Sequence, residues 1–184
     1  AFSLAGNGAN AADDELLRMF EEASSLANSH GDRFSVRAAI WWGGVVKSAI
    51  GDYAGAVESF EDYGRFTLST DREQITMDRA SFAKALHGAG ELDAALADIE
   101  SGMRMAVTTG CHNVVPPLRC VEAAVLADRA SNGDLERAER ALAEGEAFAR
   151  RAKARLDLTD LAISRARLLR ARGEEEAYKA ALDE

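Results

Sequence analysis

The sequence predicts an all-α fold, a solenoid of stacked antiparallel helix hairpins, and three observations predict it. The first is a recurring phrase. Gly51-Asp52-Tyr53-Ala54-Gly55-Ala56-Val57-Glu58-Ser59-Phe60 returns as Gly90-Glu91-Leu92-Asp93-Ala94-Ala95-Leu96-Ala97-Asp98-Ile99 and as Gly133-Asp134-Leu135-Glu136-Arg137-Ala138-Glu139-Arg140-Ala141-Leu142, with a frayed copy from Gly173. The glycines are 39, 43 and 40 residues apart. A period near forty marks helical pairs that cannot bury their apolar faces alone and need neighbours. The second is the scarcity of breakers: the only prolines of the 184 residues are Pro116 and Pro117, so helices run almost uninterrupted. The third is periodicity: apolar residues recur at helical spacing, and no stretch alternates with period two over a useful length.

Composition bounds the function. At 47% hydrophobic residues the chain can build a continuous core. A net charge of −9 disfavours non-specific binding to nucleic acid or anionic membranes. No apolar run approaches the roughly 20 residues of a membrane span. Two cysteines, Cys111 and Cys120, fall short of a disulfide framework and suit a reducing, cytoplasmic setting, though they leave one bridge open. The chain opens on alanine, which suggests processing or a piece of a longer protein.

Each element follows in order. Residues 1–12 read as a linker, since the first ten are rich in Gly, Asn and Ser and lack helical periodicity. The repeat domain spans 13–184. Its first helix starts at Asp13, carries Leu16, Leu17, Phe20 and Leu26 on one face, and ends at His30-Gly31, like the second helix of a preceding pair. Next come helices over about 33–49 and 52–67, with Val36, Ile40, Trp41 and then Val57, Phe60 and Phe66 turned inward. The following pair covers about 71–86 and 91–108. After the loop Gly110-Cys111-His112-Asn113, Pro116 sits in a first turn that tolerates it. A helix holding Leu118, Val121, Val125 and Leu126 precedes one over about 134–155. The last pair holds Leu158, Leu161, Ala162, Leu168 and Leu169 and a short helix ending at Glu184. Gly51, Gly90, Gly133 and Gly173 fit left-handed helix ends, and the acid after each favours the positive end of the next helix. Ala56, Ala95 and Ala138 permit close approach, while Phe60, Ile99 and Leu142 fill the space between paired helices.

The residues at 51–60 resemble the second half of a tetratricopeptide repeat. Together with the run from Thr109 to Arg150, whose period exceeds the usual 34, they look like the longer variant found in bacterial LuxR-type regulators and signal-transduction ATPases. The resemblance covers roughly residues 13–184. It implies a right-handed superhelix whose first helices line a concave groove. Gly43 departs from it, standing where the first repeat has a large apolar residue, and the fourth repeat slips by one at Ala177-Tyr178.

Projected on that groove, the partner-binding residues are Trp41, Val45, Met77, Lys84, His87, Ile163, Arg167 and Arg170. Ser48, Ala80 and Asp160 join them, with Cys120, Ala123, Ala127 and Ala130 as a small-residue floor. Arginine forks suit carboxylates, so an acidic or C-terminal peptide segment is the expected ligand. The plainer reading makes Lys84, Arg167 and Arg170 solvated helix residues. Trp41 and Trp42 point about 100° apart on a helix. One of them exposed would serve a partner or a second copy of the chain in a homodimer; the other arrangement packs both between repeats.

Cys111, His112 and Cys120 lack a fourth ligand and read as loop and core rather than metal. His30 and His87 stand near helix ends, where the dipole favours them without any chemistry. Between 150 and 172, eight cations face only Asp157 and Asp160. Pairing with Glu136, Glu139, Glu144 and Glu146 is expected there, rather than a nucleic-acid patch. No phosphate loop, His-Glu-x-x-His or Gly-x-Ser-x-Gly occurs. The reading is a non-enzymatic protein-interaction scaffold without cofactor, part of a larger cytoplasmic bacterial regulator. Its alternative is a small-molecule effector-sensing domain of a transcriptional regulator or signal-transduction ATPase.

Overall fold

The computed structural model describes residues 11–66 and 72–182, excepting the side chains of 11–14, 65, 66, 72–77, 156 and 182. Among the described residues there are nine α-helices, one 3-10 turn and no strand. The helices are α1 (Ala11–Ser29), α2 (Arg33–Ile50), α3 (Tyr53–Phe66), α4 (Arg72–Gly88), α5 (Leu92–Thr109), α6 (Val115–Arg129), α7 (Asp134–Ala152), α8 (Arg155–Ala171) and α9 (Glu175–Leu182), with the 3-10 turn at His112–Val114. The fold is all-α, as the repeat predicts. The expected linker at the N-terminus lies outside the described residues, save for Ala11 and Ala12, which begin α1.

The boundaries are built as the glycines require. Gly31, Gly51, Gly90, Gly110, Gly133 and Gly173 all have positive φ, a conformation that costs glycine least because it has no Cβ. The acids that follow them do not share one role. The Asp52 carboxylate accepts the Gly55 N–H at 3.0 Å, a cap on α3. Glu91 makes no side-chain cap on α5. Asp134 is buried at the start of α7. There it takes Arg129 through Nε at 2.8 Å and Nη2 at 2.9 Å, and the Ser131 N–H at 3.0 Å. Arg129 also reaches Asp93 at 2.7 Å, so one guanidinium ties the end of α6 to the starts of α5 and α7. α7 stops at Ala152, three residues before its expected end, with Lys153 at φ 57°.

The chain divides into two units. The first holds α1–α3 with residues 88–90; the second holds 72–87 and everything from 91 onward. In the first unit α2 packs on both α1 and α3. Asp32 caps α2 by accepting the N–H groups of Phe34 and Ser35 at 3.2 Å each. Ala56 is fully buried, and Phe60 and Tyr63 nearly so. A Cβ on Gly44 would stand 3.1 Å from the Phe60 ring, so α2 and α3 meet where side chains are smallest. Leu16 and Leu26, expected on the inner face of α1, are 38% and 62% exposed, while Leu17 and Phe20 are half-buried. The apolar stripe of α1 is wider than the surface α2 offers it.

In the second unit α6 packs on α5, α7 and α8, and α8 packs on α7 and α9. The core joins Ala123, Leu126, Ala138, Ala141, Leu142, Leu161 and Leu168. One contact recurs with the 43-residue period. A Cβ on Gly102 in α5 would lie 3.1 Å from both Arg79 Cβ of α4 and Leu118 Cδ1 of α6. On Gly145 in α7 it would lie 3.2 Å from Arg119 Cβ of α6 and 2.8 Å from Leu161 Cδ2 of α8. α5 and α7 are each gripped at a glycine between the helices before and after them. No helix among the described residues is long and apolar enough to cross a membrane.

Candidate functional site

The second unit brings part of the projected surface together on α4, α6 and α8. Cys120 on α6 lies 3.2 Å from the Asp160 carbonyl oxygen and 3.1 Å from Ser164 Oγ, both on α8. Burial pushes its thiol up, and the bond to Ser164 and the charges of Lys84 and Arg167 only partly oppose this. A thiol so placed stays protonated at neutral pH and is a poor nucleophile. Lys84 on α4 and Arg167 on α8 are themselves exposed. One turn beyond Lys84, His87 Nε2 lies 2.7 Å from Asp128 Oδ2 of α6. The imidazole is only 11% exposed. The hydrogen bond to His87 holds the Asp128 carboxyl below its ordinary range, and the Arg167 charge adds to the effect.

The remaining projected residues divide. Ile163 is 53% exposed on α8. The Arg170 guanidinium lies 6.0 Å from the Tyr178 ring centre of α9, which draws it toward the end of the unit. Ala123 and Ala127 do not form an open floor. They are 0% and 4% exposed and belong to the core, a correction whose cause is that α6 is covered by three helices. Ala130 is the left-handed residue after α6 and turns the chain. Trp41 and Val45 are half-buried and lie in the first unit. Trp42 is 49% exposed, and its ring meets that of Trp41 edge-on at 4.6 Å. Trp41 Nε1 and Ser48 Oγ are buried without a partner among the described residues. The Met77 side chain lies outside the described residues.

In the basic run from 150 to 172, Arg165 and Arg172 are paired with acids of α7, and Arg151 and Arg170 lie against the Phe148 and Tyr178 rings. Arg165 reaches Glu146 at 2.6 Å and Glu139 at 3.5 Å, and Arg172 also pairs with Glu139. Glu144 takes Arg119, from outside the run, at 2.6 Å. Arg129, Arg137 and Arg79 are paired too. Among the described residues Lys84 and Arg167 form no ion pair. Two exposed cations, one half-buried thiol and a His–Asp bridge therefore make a surface that offers charge and hydrogen-bond donors. No cluster of three or more His, Cys, Asp or Glu residues able to hold a metal occurs among the described residues.

Sequence reasoning named Lys84, His87 and Arg167 but not Asp128 or Ser164, two polar residues with no local signature. A helical projection from Cys120 would have put Asp128 two turns further along α6, near the same face. Compared with family models, with curated proteins and with solved structures, the chain finds no match.

Proposed function

We propose that this chain is a tetratricopeptide-like interaction module, its hairpins stacked as a right-handed superhelix, within a larger cytoplasmic bacterial regulatory protein. Its ligand is an acidic peptide segment, bound without chemistry on the face that α4, α6 and α8 share in the second unit. One observation carries this reading. In a chain of net charge −9, Lys84 and Arg167 are exposed and close enough to act on the Cys120 thiol, and neither forms an ion pair among the described residues. Cations left in this state are what an incoming carboxylate needs. His87 and Asp128 brace α4 against α6 beside them, and the recurring glycine contacts support the stacked-hairpin architecture.

The experiment is fluorescence polarisation with labelled Asp/Glu-rich peptides and their amide-substituted counterparts. It compares the native chain with Lys84→Glu/Arg167→Glu of verified helicity. The proposal expects saturable binding of the acidic peptides, lost in the variant and absent for the amides. Equal binding by both chains contradicts it. The alternative, a small-molecule sensor, draws support from a cavity in the first unit, described next.

A further inference from the structure

Gly43 is the position where the first unit departs from its own pattern, and the departure leaves a space. A Cβ built on Gly43 meets nothing within 4 Å. The glycine lines a groove of about 460 Å³ bounded by α1, α2 and α3, floored by Leu17, Phe20, Val36 and Ile40. Counting eight back from the left-handed residue after each helix (Gly51, Gly90 and Ala130), and matching the arginines that touch Gly102 and Gly145, Gly43 corresponds to Phe82 in α4 and Glu122 in α6. Glu122 fills its place: its side chain is 12% exposed and pairs with Arg119 and Arg137. Ile40 corresponds to Arg79 and Arg119, which occupy the neighbouring positions in the second unit. The next position shows that the correspondence is sound, since Gly44, Ala83 and Ala123 are all small and buried. The groove is therefore a local opening made by one residue and not a general feature of the hairpins.

Its lining sets this apolar floor beside the polar Ser24, Ser25, Asn28 and Ser59 and a single cation. Lys47, one turn after Gly43, is half-buried, and its Nζ donates to Ser59 Oγ at 3.1 Å. That hydroxyl is neutral and already donates to the Gly55 carbonyl at 2.9 Å. Lys47 forms no ion pair among the described residues. Glu21 and Asp62 also line the groove, but both are exposed at its rim, and Asp62 is engaged in contacts of its own. Lys47 is the one cation among the lining residues.

We propose that this groove is a binding site for a small amphipathic anion. Its apolar body lies on Leu17, Phe20 and Ile40 over Gly43, and its carboxylate or sulfonate meets the Lys47 ammonium. The volume falls in the range of small-molecule sites, about 300–1,000 Å³. A half-buried ammonium with a single neutral acceptor gains from an anion that enters beside it. This site is independent of the Lys84/Arg167 surface: it uses other residues and can stand or fall alone.

The test uses two fluorescent probes, the anion 1-anilinonaphthalene-8-sulfonate and the uncharged N-phenyl-1-naphthylamine, titrated against the whole chain. The native protein is expected to bind each at one saturable site. Gly43→Leu, which fills the groove without meeting an atom at its Cβ, is expected to weaken both probes roughly tenfold or more, since a filled interior has no room for them. Lys47→Gln is expected to weaken the sulfonate about tenfold and leave the uncharged probe unchanged. Near-ultraviolet circular dichroism from Trp41 and Trp42 checks that the variants are folded. Should Gly43→Leu fail that check, Ser24→Leu fills the same groove from the α1 wall. Undiminished binding by the folded groove-filling variant, or no saturable binding by the native chain, overturns the site. Equal loss of both probes in Lys47→Gln overturns its preference for an anion.

Discussion

Substituting Gly145 by alanine tests whether the glycine grip in the second unit is a packing requirement. In an exposed helix interior Gly→Ala stabilises by about 1 kcal/mol, because alanine loses less backbone entropy. At Gly145 the new methyl would come within 2.8 Å of Leu161 Cδ2 and 3.2 Å of Arg119 Cβ. Leu161 is fully buried, so its methyl has no free space to swing into. Arg119 Cβ moves only with the backbone of α6, and its guanidinium is held by Glu122 and Glu144. Forcing a methyl into a filled core costs about 1–3 kcal/mol, which outweighs the propensity gain. The expected net effect is a loss of about 1 kcal/mol, or roughly 2–4 °C in Tm for a chain of this size. Gly43→Ala supplies the opposite case: with no atom near its Cβ it should gain about 0.5–1 kcal/mol. Urea unfolding followed by far-ultraviolet circular dichroism measures the first variant; tryptophan fluorescence, confined to α2, follows the second. In a Leu161→Ala background the Gly145→Ala methyl gains room, and the change should turn stabilising, a favourable coupling of about 1–2 kcal/mol. If Gly145→Ala stabilises the native chain as much as Gly43→Ala, the grip does not exist.

Three further outcomes follow from the charges and thiols. Asp134→Asn should lose about 2–3 kcal/mol, at or below the usual cost of breaking a buried pair because Arg129 is a quarter exposed. Arg129 depresses the Asp134 pKa, so the native chain holds that stability above about pH 4 and loses it as pH falls through the lowered folded value; the variant should lack this portion of the acid transition. Asp98 runs the other way. Burial raises its pKa more than Arg79 lowers it, so its protonation adds stability as pH falls toward about 4, and Asp98→Asn should flatten that rise in pH-dependent unfolding. Cys120 should react with a disulfide reagent more slowly than a free thiol at pH 7.5, and Cys120→Ser should remove this slow phase alone.

The all-α class and the helix ends were legible because their signals are local. A glycine that must take positive φ, the small residues at Ala56, Ala95 and Ala138, and the bulky ones four positions on all act within one hairpin. Their backbone and burial came out as periodicity requires. The burial of α1 was not legible, because Leu16 and Leu26 follow the same period as Leu17 and Phe20. Which of them is covered depends on how much surface α2 presents, and no local pattern encodes that. The acids after the glycines were equally misleading as a class. Asp52 caps while Asp134 is buried, and the difference arises from Arg129, which lies across a loop. Of the candidate site, the cations were visible as residue types on the projected faces of α4 and α8. Asp128 depends on a contact between α4 and α6, about 40 residues apart in the chain, and the burial of Ala123 and Ala127 on the packing of α5, α7 and α8 around α6. Gly43 was visible as a departure, but the groove it opens required the positions of three helices.

The central claim is that Lys84 and Arg167 form a surface for acidic peptide segments. Selection from a displayed random-peptide library, run in parallel on the native chain and on Lys84→Glu/Arg167→Glu, tests it most directly. The account predicts that the native chain enriches Asp- and Glu-bearing sequences and that the charge-reversed chain loses them. Enrichment of the same peptides on both, or of sequences without acids on the native chain, contradicts it.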